Sequence, residues 1–272
     1  MTYQVDDQLA EVLATGDFYY EPLGEGRYRS TIHAQGAWNA HEQHMAPATG
    51  LLSHELINFQ PREGMRMARM SLEIYGLIHA GECEIKTRMV RPGRTIELVE
   101  AEMITNGRTC IVARAWRLAT GDSSQVAGVE DAKIMGPEDC QTYDASKMWP
   151  GGYIRGLEMR AAPGHRPGKG IVWIRNPFAM VKDVQSPDVV RLLGMADTAN
   201  GVAPRSEPGP NSWMFPNVDL QVHMYREPAG QWLGFEAQQS YGSDGIGLTS
   251  AVLHDLDGPF GRSEQILTVR PL

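Results

Sequence analysis

The chain has 272 residues, 42% hydrophobic and 21% charged, with a formal net charge of −8 at pH 7. It is long enough to bury one large core or two fused smaller ones. Its acidity gives no general attraction to nucleic acid, where binding rests on phosphate neutralisation by Lys and Arg.

No apolar run approaches the roughly 18 residues of a membrane span, and residues 1–10 have neither a basic start nor an apolar export core. Three cysteines, Cys83, Cys110 and Cys140, show no CxxC or Cys/His finger spacing. The expectation is a cytoplasmic protein with reduced cysteines, no metal site, no cofactor, and neither nucleic acid nor membrane as a partner.

In chain order, Tyr28 to Ala34 reads as a lead-in strand. Pro47 opens a helix in which Leu51, Leu52, Glu55 and Leu56 recur at helical spacing to about Asn58. Gly50 inside it costs about 1 kcal/mol relative to alanine. Met70, Leu72 and Ile74 then alternate with Arg69, Ser71, Glu73 and Tyr75, the period of a strand with one buried face. Glu82 to Val90, Thr95 to Ile104 and Cys110 to Leu118 follow across Arg91-Pro92-Gly93-Arg94 and Thr105-Asn106-Gly107-Arg108, and Asn-Gly is a strong hairpin signal. Gly121 to Gly168, rich in Gly, Pro and polar residues, reads as a connector with little regular structure.

The pattern then recurs. A lead-in strand at Gly170 to Arg175 precedes a helix from Pro187 to Asn200, with Ser186 as N-cap and Gly201 as terminator. Strands follow at Val218 to Met224, Gln231 to Tyr241, Gly247 to His254 and Arg262 to Arg270. Two helices and two meanders predict an internal tandem repeat, with sheets wrapped around helices and a cleft at the seam.

Three polar residues stand where apolar ones belong. Asp197 continues the helical stripe of Val190 and Leu193, Gln265 shares a strand face with Leu267 and Val269, and Asn217 precedes an alternating run. A carboxylate in a core-facing stripe is costly unless partnered. Asp197 can be a structural cap and Gln265 a satisfied core amide; both can equally belong to a site.

At these residues the chain resembles the double-hotdog acyl-CoA thioesterases, the bacterial thioesterase II type and its actinobacterial relatives, over nearly its whole length. The resemblance is carried by Gln43 to Pro47, Met67 to Glu73 and, most specifically, Val90 to Glu102. In the second half it is carried by Leu192 to Asp197, Asp219 to Arg226 with Trp232, and His254 to Gly258 leading to Glu264-Gln265. The resemblance implies an α+β fold, a tandem (double) hotdog of two antiparallel sheets each wrapped around a central helix. Its N-terminal repeat would be 1–125, its connector 126–165 and its C-terminal repeat 166–272.

The resemblance also implies an attacking water held by Asp197, Gln265 and Asn217, where the thioesterase II pattern has threonine at the last. Substrate-binding N–H groups would come from His44-Met45-Ala46, where relatives carry His-Gly-Gly. The implied partner is an acyl thioester with a coenzyme A moiety. Homo-oligomerisation through sheet edges or back-to-back packing stays open.

Competing chemistries lack their residues. There is no Gly-x-Ser-x-Gly elbow, Gly164 to Gly170 lacks the Ser or Thr a phosphate loop needs after Lys169, and His41 and His44 have no third ligand. A hotdog dehydratase would need a histidine soon after Asp197, and none follows. A catalytically silent acyl- or coenzyme A-binding protein is the remaining alternative. Arg62, Arg66 and Arg69 could meet a coenzyme A phosphate or form a solvated face. Trp38, Trp116, Trp173, Trp213 and Trp232 could line an acyl tunnel or fill cores.

Overall fold

The alternating and helical patterns resolve, in a computed structural model that describes residues 5–209 and 211–272, into two similar helix-and-meander modules. The first opens with α1 (Asp7–Val12) and the hairpin β1 (Phe18–Gly24) and β2 (Arg27–Ser30). The central helix α2 (Met45–Asn58) leads to β3 (Met65–Ile74), β4 (Glu82–Arg91), β5 (Ile96–Thr105) and β6 (Arg108–Ala119). Asn106 and Gly107 both take positive φ, 48° and 71°, the left-handed pair a two-residue hairpin loop requires. Val99, Ala101, Met103, Ile111, Ala113 and Ala115 point inward beneath α2 and are buried.

The stretch read as a connector carries short elements: β7 (Gln141–Thr142), the single turn α3 (Gly152–Arg155) and β8 (Glu158–Ala161). The second module continues with β9 (Lys169–Arg175), β10 (Ala179–Val181), α4 (Asp188–Ala196), α5 (Ala199–Val202) and β11 (Trp213–Met214). Its meander is β12 (Asp219–Met224), β13 (Leu233–Tyr241), β14 (Ile246–Asp255) and β15 (Gly258–Thr268), closed by β16 (Arg270–Pro271) against β11.

The expectation of two sheets needs correction. Strands β3 and β12 pair antiparallel, Leu72 with Leu220, Ser71 with Gln221 and Met70 with Val222, and this seam fuses the halves into one 14-stranded sheet. Inside its curve α2 and α4 pack directly on each other. Gly50 explains itself here: a Cβ on it would lie 2.9 Å from Gly194 Cα and collide with the Met180 side chain. The glycine cost predicted for an isolated helix is exchanged for close approach of two backbones.

Element boundaries shift for identifiable reasons. Helix α2 begins two residues before Pro47 because the His44 side chain caps it, Nδ1 accepting the Ala46 N–H at 3.0 Å. The lead-in strand stops at Ser30, and Thr31 then caps a 3-10 turn at Ile32–Ala34. Pro187, not Ser186, is the N-cap of α4, and Gly201 lies within α5 rather than ending the helix. Among the described residues no helix is long and apolar enough to cross a membrane. Cys83, Cys110 and Cys140 are buried and free.

Candidate active site

Asp197 sits at the C-terminal cap of α4, where the stripe of Val190 and Leu193 brings it beneath the sheet with 5% exposure. Its Oδ1 accepts two amide donors, Asn217 Nδ2 at 2.8 Å and Gln265 Nε2 at 2.8 Å. The three polar residues singled out in the sequence therefore converge on one oxygen. Asn217 spends its second N–H on Asp219 O at 2.9 Å, which leaves its carbonyl oxygen as its remaining polar atom. Gln265 is fully buried, and its Oε1 has no protein partner. Burial raises the Asp197 carboxyl from 3.8 to about 6, against the lowering effect of the Asn217 and Gln265 donors.

From the other module His44 faces this carboxylate, Nδ1 lying 3.6 Å from Asp197 Oδ2. This is no ion pair. Burial pushes the imidazole down to about 3, so it is neutral at neutral pH. Because Nδ1 already accepts the Ala46 N–H, the proton is assigned to Nε2, making that nitrogen a donor. Met45 and Ala46 form the first turn of α2 and are 8% and 0% exposed. The Ala46 N–H is engaged by His44 rather than open to a substrate.

Tyr153, Trp149, Phe215 and Asn200, near this pair, had no place among the site residues expected from sequence. Tyr153 stacks obliquely on His44, centroids 4.4 Å apart at 37°, and its hydroxyl pairs with Thr198 Oγ1 at 2.7 Å. Trp149 donates Nε1–H to Gly201 O at 3.1 Å. Trp38, Trp149 and Phe215 meet edge to face, with centroids 5.1, 5.7 and 5.8 Å apart. Asn200 holds this wall: it donates to Phe215 O at 3.0 Å and receives Gln239 Nε2 at 3.0 Å. The signal that could have exposed Trp149 and Tyr153 is Trp149-Pro150-Gly151-Gly152-Tyr153, two aromatics flanking glycines. Gly151 has φ 110°, and Gly151 and Gly152 crowd the backbone of residues 32–36, drawing the connector into the site.

Asp197, Asn217, His44 and the aromatic wall line a cavity of about 50 Å³. A groove of about 750 Å³ adjoins it, sharing Ala37, Trp38 and Trp149. Of the five tryptophans considered from sequence, Trp38 lines these spaces. Trp173 is instead buried against Met135 O, and Trp232 lies under Arg160 and Arg175. Arg62 is held by Glu97 at 2.9 Å and Arg66 by Tyr225 O at 2.8 Å. His41 pairs with Asp6 at 2.9 Å. Among the described residues no group of three or more His, Cys, Asp or Glu side chains could hold a metal ion.

Comparison with known proteins agrees with this architecture. Residues 21–118 match the model of the acyl-CoA thioesterase N-terminal domain, and residues 137–269 that of the C-terminal domain. Among solved structures, a protein of Thermobifida fusca assigned to thioesterase II is 18% identical, with 97% of each chain covered and a TM-score of 0.69. A hotdog-fold protein of unknown function from Alicyclobacillus acidocaldarius is 13% identical, covering 98% of this chain and 99% of its own, with a TM-score of 0.72. The acyl-CoA thioesterase II TesB2 of Mycobacterium marinum is 13% identical over 97% of this chain and 98% of its own, with a TM-score of 0.65. A sequence search of curated proteins finds no significant match. With both domain models matched in order along the chain, this protein belongs to the double-hotdog acyl-CoA thioesterase family.

Proposed function

We propose that the chain hydrolyses an acyl-CoA, or a related acyl thioester, by direct attack of a water that Asp197 activates. The observation that carries this reading is the Asp197 carboxylate: buried, raised to about 6, with Oδ1 tied to two amides and Oδ2 turned toward His44. A base with a pKa just below neutral is ionised at pH 7 yet still takes a proton readily.

In this mechanism water gives a proton to Asp197 Oδ2 as its oxygen bonds to the thioester carbon. The carbonyl oxygen becomes an oxyanion, stabilised by His44 Nε2–H. A neutral imidazole donor at a helix N-terminus suits that task, since it polarises a carbonyl without surrendering its proton. Collapse breaks the carbon–sulfur bond, and Asp197 returns the proton to the leaving thiolate, giving free acid and free thiol. Gln265 and Asn217 fix the carboxylate, and the carbonyl of Asn217, which lines the cavity, is the acceptor left for the water's second hydrogen. Ala46 acts through His44, its N–H setting the imidazole tautomer, and Met45 shapes the first turn beside it.

Division into an N-terminal repeat at 1–125, a connector at 126–165 and a C-terminal repeat at 166–272 belongs to the same proposal. The connector would then contribute Trp149 and Tyr153 to a site between the repeats. The test is release of free thiol from a panel of acyl-CoAs, followed with a thiol dye. Turnover dependent on Asp197 supports the reading; saturable acyl-CoA binding with no thiol released overturns it in favour of a silent binding protein.

A further inference from the structure

The cavity at Asp197 and the groove beside it differ about fifteenfold in size, about 50 Å³ against about 750 Å³. The smaller space suits a reacting carbonyl and a water, since one water centre needs only roughly 10–15 Å³. It cannot also hold an acyl chain. The groove is within the roughly 300–1,000 Å³ of ordinary ligand sites. The two share Ala37, Trp38 and Trp149, so the groove starts at the aromatic wall beside Asp197.

The groove's chemistry selects which end of the substrate enters. Its walls include Trp38, Met148, Trp149, Pro150, Pro208 and Leu272. Its charged residues are Asp144, Lys147 and Glu207, and Lys147 is paired with Asp144 at 3.8 Å. Two carboxylates against one ammonium leave the rim net negative. A polyanionic phosphate-bearing end would meet like charge there; a hydrocarbon would meet apolar walls and remove them from water.

Resting on the hydrolase reading above, we infer that this groove is the acyl site. It selects thioesters whose acyl group is long enough to pass Trp38 and Trp149, with the coenzyme A end outside it. Gly209 offers the test. It lines the groove, and a Cβ added to it meets nothing within 4 Å, so a side chain can start there without a clash at its first atom.

The experiment compares kcat/KM for dodecanoyl-CoA and butanoyl-CoA in the wild type and in Gly209→Trp. It also measures dodecanoate binding by calorimetry in both proteins, and thermal melts check folding. Wild type should favour dodecanoyl-CoA, and Gly209→Trp should reduce that preference by at least about tenfold, mainly through KM. Dodecanoate binding should weaken in parallel. An unchanged preference, or an equal fall for both substrates, overturns the assignment. Should the wild type release no thiol while dodecanoate binding is lost in Gly209→Trp, the acyl groove stands and the hydrolytic reading falls.

Discussion

Replacing Asp197 by Asn separates the catalytic role proposed for its carboxylate from its place in the fold. Asparagine keeps an oxygen to accept Asn217 Nδ2 and Gln265 Nε2, now each at 2.8 Å. Its amide nitrogen would point toward His44 Nδ1, 3.6 Å from the replaced oxygen. The native carboxyl is raised from 3.8 to about 6, so the fold favours its protonated form. That stabilisation is fully present below about pH 3.8 and is lost as pH climbs through about 6.

A shift of about two units corresponds to roughly 3 kcal/mol at 1.36 kcal/mol per unit. Asp197→Asn carries no such ionisation cost. It should exceed the wild type by about 1 kcal/mol near about pH 4.5 and by up to about 3 kcal/mol near about pH 7.5. Urea denaturation followed by tryptophan fluorescence at both pH values measures the difference, and thioester turnover should fall about 100- to 10,000-fold. A stability gain independent of pH, no gain at all, or undiminished turnover would refute the reasoning.

Further outcomes follow from the same geometry. Wild-type kcat/KM should rise with pH to a plateau with its midpoint at about 6, while His44, held near about 3, adds no limb in that range. Gln265→Leu removes one of the two donors that oppose burial, so its pH–rate midpoint should move to higher pH; an unmoved midpoint would count against the contact. His44→Ala should lower kcat by about 100- to 1,000-fold through loss of an oxyanion donor. It should also lose about 1 kcal/mol of stability through loss of the helix cap, read by urea titration. Gly50→Ala, forced against Gly194 and Met180, should destabilise by about 1–3 kcal/mol in the same titration, whereas an alanine at an ordinary helix position would stabilise.

The periodic parts of the fold were legible because periodicity is a local property. The inward alternation of Val99, Ala101 and Met103, the Asn106-Gly107 turn and the α4 stripe ending at Asp197 are visible without knowing their neighbours. Asp197 and Gln265 stood out as polar residues at apolar positions. What stayed hidden depends on distant packing. His44 was legible as a loop histidine, but its cap on α2 was not, because imidazole is an uncommon capping group. Trp149 and Tyr153 lie in an aperiodic stretch whose course is set by glycines crowding the backbone of residues 32–36. Fusion of the sheets at β3 and β12 could not be read because either strand alone looks like an ordinary meander edge.

That fusion, with Gly50 against Gly194, relates the halves by an approximate dyad through Ser71 and Gln221. The dyad carries Asp197 onto Ser53, Asn217 onto Met67 and Gln265 onto Ala115, as follows from the pairings of Ser71 with Arg114 and Gln221 with Glu264. Ser53 turns its hydroxyl back to Thr49 O at 2.7 Å. The dyad-related position thus lacks a carboxylate and both amides. Each polypeptide should show a stoichiometry of one reacting centre, with the twin half serving as a scaffold whose own clefts were free to diverge.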